Sequence, residues 1–120
     1  MMLPFDPTGT PGLPAPEVRI TELRIAPWPD GNRIRVHVNL TPFESRPSLE
    51  LTVFDPQGEE VASALILETM LPRIVITLHI RPAEADVEYQ LRANLFYEDI
   101  GTVHLLEQSF SLPSQESDPG

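Results

Sequence analysis

The sequence contains no cysteine and no lysine, so all eight of its basic residues are arginine. Without cysteine, disulfide bonds, thiolate chemistry and cysteine-ligated metals are excluded. No apolar run reaches the roughly 20 residues that a membrane-spanning helix requires. The first residues also lack the basic and apolar regions of a secretory signal. We therefore expect a cytoplasmic protein with no membrane span.

The sequence motifs of common enzymes and cofactor sites are also missing. It has no HExxH metal motif, no GxSxG nucleophile elbow, no glycine-rich phosphate loop and no EF-hand loop. No serine lies near both a histidine and an acid in a way that indicates a hydrolase triad. These absences predict a protein that is not an enzyme and that holds no cofactor.

Basic residues are scarce, because eighteen acidic residues against eight arginines give a net charge of −10. Phosphate backbones and anionic lipids repel such a chain, so we predict no nucleic-acid partner and no membrane association. Arg33, Arg35 and His37 fall on one face of a predicted strand, and Arg24 and Arg81 are expected to border the same sheet. This pattern is a candidate site for an anion or an acidic glycan. Its alternative is a solvated face whose arginine stems cover the sheet.

Seven stretches alternate apolar and polar residues, which gives each a buried and an exposed face as a β-strand. Residues 61–70 also fit a short helix that would stop before Pro72, although the tight turn predicted at 55–58 favours a hairpin strand. Strands of this kind pair into sheets and pack their apolar faces together. The predicted strands are 18–25, 34–40, 49–54, 61–70, 74–80, 87–97 and 102–112.

Three regions follow from the distribution of proline and of polar residues. Residues 1–16 hold five prolines, which cannot donate to a sheet, so they are predicted to form a Pro/Gly-rich flexible leader. The leader includes a PxxP pattern at 11–14, which is either a polyproline ligand or a chance feature. Residues 17–112 form the β-sandwich domain, and residues 113–120 form a polar C-terminal tail.

Trp28 at the first turn and Tyr89 early in the sixth strand, after Ile80-Arg81-Pro82, carry a family resemblance. With the seven strands, they resemble an immunoglobulin-like sandwich, most similar to a fibronectin type III module. The resemblance implies an all-β, seven-stranded antiparallel sandwich in which the Tyr89 hydroxyl fixes the preceding loop. It also implies a scaffold that is commonly used for recognition.

In that topology strands two and five are neighbours, which bears on the three histidines of the chain. His37 and His79 would then lie on one sheet and allow a weak two-ligand metal site, whereas His104 would lie on the other sheet. Zinc sites use three or four ligands, so solvent-facing histidines are the favoured interpretation and no metal site is predicted.

The predicted contact surface is the outer face of strands three, four and six. Phe54 and Phe96 each fall out of phase with the apolar positions of their strands, and Ile66 joins them if the fourth strand forms. Exposed aromatic patches on a sheet mark association surfaces. We therefore predict a protein–protein interaction or assembly module, either a homodimer or a subunit of a larger assembly. A register change, or coverage by apolar residues of the leader, would remove this surface.

Overall fold

The alternating stretches form antiparallel strands in a computed structural model, which describes residues 12–81 and 83–113. A short 3₁₀ turn, Ala15–Glu17, precedes them. The strands are β1 (Ile20–Pro27), β2 (Arg33–Leu40), β3 (Ser48–Phe54), β4 (Glu60–Ile66), β5 (Arg73–His79), β6 (Tyr89–Tyr97) and β7 (Gly101–Phe110). The predicted all-β, seven-stranded antiparallel sandwich is confirmed.

The strands divide into a three-stranded sheet, in the order β1-β2-β5, and a four-stranded sheet, in the order β4-β3-β6-β7. The predicted adjacency of strands two and five, and of strands three and six, is therefore confirmed. Residues 60–66 are a strand and not a helix, because they pair with β3 along its length. Residues 67–72 leave that strand and carry the chain across to the other sheet.

The core lies between the two sheets and is built from alternate residues of the central strands. Leu49, Leu51 and Val53 of β3 are fully buried. Across β6 their register partners are equally buried: Leu95, Ala93 and Leu91. The facing side chains of β2 complete the core: Ile34, Val36 and Val38. This two-residue periodicity leaves every intervening side chain on an outer face.

The turn between β3 and β4 forms at the predicted residues, 55–58. The Asp55 carbonyl accepts the Gly58 N–H at 2.9 Å, and its side chain accepts the N–H groups of Gln57 and Glu59, both at 2.9 Å. Gly58 has a φ of 85°, a conformation that glycine adopts without steric cost. Local sequence therefore specifies this hairpin.

The loop before β6 is fixed by a tyrosine, as the family resemblance implies. The Tyr89 hydroxyl accepts the Glu84 N–H at 2.9 Å. Tyr89 is only 1% exposed, and its ring stacks on Phe110 with 5.5 Å between ring centroids. The hydroxyl and the ring of Tyr89 thus attach the loop before β6 to the sandwich.

Contact with the sandwich begins before the predicted domain boundary at residue 17. Leu13 exchanges backbone hydrogen bonds with Pro42 and Glu44, both at 3.0 Å, and its side chain packs against the core. A Cβ on Gly12 would lie 2.6 Å from the backbone carbon of Phe43, so only glycine allows this approach. Residues 12–16 are thus attached to the domain and are not a flexible leader.

The remaining predictions for the two termini concern residues 1–11 and 114–120, which lie outside the described residues. They include the first proline of the PxxP pattern and most of the apolar side chains of the leader. Within the described part of the chain, no helix has the length and apolar character needed to cross a membrane.

Candidate functional site

Phe54 and Phe96 lie on the same outer face of the four-stranded sheet, as their phase in the sequence predicts. Phe54 pairs with Gln90 on β6, and Phe96 pairs with Ser48 on β3. Six residues of β6 therefore separate the two rings, which is about 20 Å along the strand. Both are half-buried, and the polar residues between them prevent a continuous aromatic patch.

The prediction that Ile66 joins this face is wrong. Ile66 pairs with Leu49, which is fully buried, and its own side chain packs against the core. The outward residue of β4 at this level is Leu65, which is 56% exposed. The small residues of this strand, Ala62, Ser63 and Ala64, give no clear apolar alternation, so the sequence alone left its phase open.

A shallow groove crosses the same face and has Phe54 on its lining. The Arg92 guanidinium lies 4.7 Å from the centre of the Phe54 ring and donates to Glu107 at 2.9 Å. Thr102 donates to the Asn94 side chain at 2.8 Å. The side chains of Arg92, Asn94 and Thr102 in the groove are thus held by hydrogen bonds.

A second exposed region was not predicted from the sequence. Leu67, Met70 and Leu71 are 65%, 71% and 66% exposed, and all three belong to residues 67–72, which we call the apolar loop. Leu65 is continuous with them at the end of β4. Large apolar side chains grouped in this way mark contact surfaces. The sequence signal for this region was a run of apolar residues, but the prediction assigned that run to the strand 61–70.

The backbone of the apolar loop is held in place by Thr69, which is itself buried. The Thr69 N–H donates to the Pro47 carbonyl at 2.9 Å, and its hydroxyl donates to the Leu71 carbonyl at 3.0 Å. The Glu68 N–H donates to the Ser48 hydroxyl at 3.0 Å. The exposed side chains therefore project from a fixed backbone.

Acidic residues line a cleft on one side of the apolar loop. A cleft beside Leu67 is lined by four acids and one basic residue, Arg46. We call the acids the acidic rim: Glu44, Glu68, Glu98 and Asp99. Burial, followed by the charge of Asp99, raises the pKa of Tyr97, whose hydroxyl donates to the Ser45 carbonyl at 2.7 Å. The side of the apolar loop that carries Leu67 is thus bordered mainly by negative charge.

The outer face of the three-stranded sheet is basic, as predicted. Arg33, Arg35 and His37 occupy alternate positions of β2, between buried residues. The guanidinium groups of Arg33 and Arg35 lie 3.8 Å and 5.2 Å from the Trp28 ring. Arg33 also pairs with Asp30 at 2.7 Å. The Asn32 backbone N–H and the Arg33 side chain lower the pKa of Asp30, although partial desolvation opposes them.

The register does not bring the histidines of this face together. His37 pairs with Val75, whereas His79 pairs with Arg33. Val75, the partner of His37, lies four residues from His79 on β5, which is about 13 Å along the strand. The hypothetical two-histidine site is therefore wrong. Among residues 12–81 and 83–113, no three metal-ligating side chains form a cluster that would hold a metal ion.

His104 joins the two sheets in a way that sequence reasoning missed. It lies on β7, and its Nδ1 accepts the N–H of Ile20 on β1 at 2.9 Å. Only an unprotonated Nδ1 can accept this bond. Burial, followed by the charge of Arg19, lowers the pKa of His104 below 6.5.

We expect acid to weaken the fold through His104. Because its folded-state pKa is lowered, the unfolded chain binds more protons just below pH 6.5, so stability rises with pH through that window and falls on acidification. Urea unfolding at pH 7.5 and pH 5 measures this difference. In the variant His104→Ala the difference between the two pH values should shrink, and in the control His79→Ala it should not. An equal change in both variants would contradict the assignment.

Comparisons with solved structures match this sandwich to a segment of much larger enzymes. β-Glucuronidase from Bifidobacterium dentium superposes with a TM-score of 0.66 at 15% identity, covering 78% of this chain and 18% of the enzyme. A glycosyl hydrolase family 2 member from Bacteroides cellulosilyticus gives 0.60 at 16% identity, covering 79% and 14%. β-Glucuronidase from Parabacteroides merdae gives 0.60 at 17%, with the same coverage.

These matches establish a shared β-sandwich fold. Sequence identities this low carry no information on the activity of the chain. The chain spans less than a fifth of the length of each of these enzymes. No known protein family and no curated protein matches the sequence.

Proposed function

We propose that this chain is a non-enzymatic protein–protein interaction module whose contact centre is the apolar loop. One observation carries the proposal: Leu67, Met70 and Leu71 are each more than 60% exposed, on a backbone that buried Thr69 holds in place. A backbone that is already fixed loses little conformational freedom when a partner covers the apolar side chains that it carries. Their removal from water on binding is the source of the affinity.

We also infer that the sandwich is immunoglobulin-like and, within that group, most similar to a fibronectin type III module. Two features support this inference. The fourth strand pairs with β3 in the four-stranded sheet, and Tyr89 anchors the loop before β6. The solved structures that share the fold contain it as a small part of a long chain. A module that packs against other protein surfaces is consistent with that setting.

The charges around the apolar loop point to the chemistry of the partner. The acidic rim should face basic residues, so the partner is a protein with an apolar patch that arginine or lysine borders. The loop alone is smaller than the roughly 800 Å² per partner of a stable interface. The adjoining outer face of the four-stranded sheet, with Phe54, Leu65 and Leu105, is therefore part of the same surface. A symmetric dimer through this surface is disfavoured, because two acidic rims would repel each other.

The experiment compares two single substitutions at exposed apolar positions on different surfaces. Met70→Asp places a charge in the apolar loop, whereas Val75→Asp places one on the outer face of β5, where Val75 is 51% exposed. Burying an unpaired carboxylate at a contact centre costs several kcal/mol. We expect Met70→Asp to abolish the capture of a defined partner from the source cell and Val75→Asp to retain it. The partner is identified by mass spectrometry and then tested as a purified protein.

Two results would contradict the proposal. Equal capture by Met70→Asp and the unmodified chain would exclude the apolar loop as the contact centre. Self-association that Met70→Asp abolishes, measured by sedimentation velocity, would make a second copy the partner and so overturn the assignment of a basic one. Melting temperatures of both variants, expected to match that of the unmodified chain, show that the fold is intact.

A further inference from the structure

The outer face of the three-stranded sheet carries one arginine at each of four successive levels. A level is a set of outward residues that the register places side by side across the strands, and successive levels are two residues apart. Arg33 and Arg35 of β2 occupy two levels. Arg24 of β1 shares the next with His37. Arg73 of β5 shares the last with Asn39. We call these four arginines the arginine ladder.

The spacing of the arginine ladder matches that of an extended polypeptide. Two residues of a strand span about 6.6 Å, and in any extended chain alternate side chains on one face repeat at the same distance. Arg24 and Arg73 lie one strand to either side of β2, each about 4.8 Å from it and so about 10 Å from one another across the sheet. Long arginine side chains bridge such an offset. A peptide with carboxylates at alternate positions therefore meets one guanidinium per carboxylate.

The charge of this face differs from that of the rest of the molecule. Only two acids accompany the four arginines, Asp30 in the adjoining turn and Glu22 on β1. The face is thus net +2 in a chain of −10, so the remainder carries −12. A positive face on a negative molecule orients an acidic partner toward it and repels that partner from every other side.

Two features prepare the arginines for an anionic partner. Trp28 lies under the guanidinium groups of Arg33 and Arg35, which restricts side chains that are otherwise mobile. Arg35 is exposed, and neither Arg35 nor Arg73 takes part in an ion pair among the described residues. These two arginines therefore have full charge to offer a ligand.

We propose that the arginine ladder binds an extended acidic polypeptide segment that has carboxylates at alternate positions. The two-residue repeat favours a polypeptide, because alternate side chains of an extended peptide repeat at the spacing of the sheet. The planar guanidinium group also suits paired hydrogen bonds to carboxylates. This surface lies on the other sheet from the groove at Phe54, although Arg73 directly follows the apolar loop. The proposal rests on observations other than those that support the function proposed above.

The test uses two nine-residue peptides of identical composition, four glutamates and five serines. In one peptide the glutamates alternate with serine, and in the other they are consecutive. Calorimetry on the full chain at 50 mM salt should show that the alternating peptide binds at least about fivefold tighter, because the consecutive peptide presents only two carboxylates on each face. Raising the salt to 300 mM should weaken both.

Charge-reversal variants locate the site. Arg35→Glu should raise the Kd for the alternating peptide at least about tenfold. The control Arg46→Glu makes the same change in net charge within the acidic rim, and it should alter the Kd less than about twofold. Met70→Asp, which tests the other proposal, should leave peptide binding unchanged. Unchanged melting temperatures confirm that the variants are folded.

Three results would overturn the proposal. Equal affinity for the two peptides would show that the spacing of the carboxylates does not determine binding. Equal effects of Arg35→Glu and Arg46→Glu would reduce the binding to overall charge. Binding of a sulfated polysaccharide or a DNA duplex as tight as that of the alternating peptide, at the same salt, would make the face a general polyanion surface. The first result, with tight polysaccharide binding that Arg35→Glu weakens more than Arg46→Glu, would favour an acidic glycan as the ligand.

Discussion

Replacing Tyr89 by alanine is expected to lower the free energy of unfolding by about 3–5 kcal/mol, the range for removing a large aromatic side chain from a core. Tyr89 is 1% exposed, stacks on Phe110 and fixes the loop before β6 through its hydroxyl. Alanine removes all three contributions and leaves a cavity between the sheets. Urea denaturation at pH 7.5 measures the loss.

The variant Tyr89→Phe separates the hydroxyl from the ring. It keeps the ring and its stacking but leaves the Glu84 N–H without its acceptor, so we expect a smaller loss, about 1–3 kcal/mol. Hydrogen exchange at Glu84 should also increase in this variant, because the loop is released locally. Equal stability of Tyr89→Phe and the unmodified chain would show that the hydroxyl does not anchor the loop.

Replacing leucine by alanine should lower the stability strongly on β3 and hardly at all on β4, its neighbour in the four-stranded sheet. Leu51→Ala removes a fully buried side chain of β3, with an expected loss of about 2–5 kcal/mol. Leu65→Ala lies on β4 beside Glu50, where its side chain is 56% exposed. We expect its effect on stability to stay within about 0.5 kcal/mol.

This pair tests the register of β3 and β4, on which the proposed contact surface of the four-stranded sheet depends. If Leu65→Ala were as destabilising as Leu51→Ala, β4 would present its other face to the core and Ile66 would point outward. With the register described above, Leu65→Ala should instead weaken partner capture while the unfolding midpoint stays unchanged. Denaturant unfolding and the capture experiment on the same preparation measure both quantities.

Strands and turns were predictable because they depend on residues close together in the chain. Alternation identified β2 and β6, and Asp55 with Gly58 identified the turn between β3 and β4. A proline or glycine restricts or frees its own backbone wherever the chain goes. The face of Phe54 and Phe96 followed from the same alternation, since each strand had a clear apolar phase.

Features that join distant parts of the chain were not predictable. The phase of β4 depends on its pairing with β3, because Ala62, Ser63 and Ala64 are tolerated on either face. The bond from Ile20 to His104 spans 84 residues, and no local pattern signals it. The apolar loop was assigned to a strand because its backbone partner, Pro47, lies far away in the sequence.

The amino-acid sequence by itself determined the all-β class, the number of strands and the arginine-rich face of β2. These follow from side-chain periodicity and backbone preference, which act within a few residues. Tertiary structure alone decided that Ile66 packs inward and Leu65 outward, that His37 and His79 stay apart, and that one arginine stands at each level of the three-stranded sheet. Cross-strand register sets each of these, and register is a property of two strands that meet only in the folded chain.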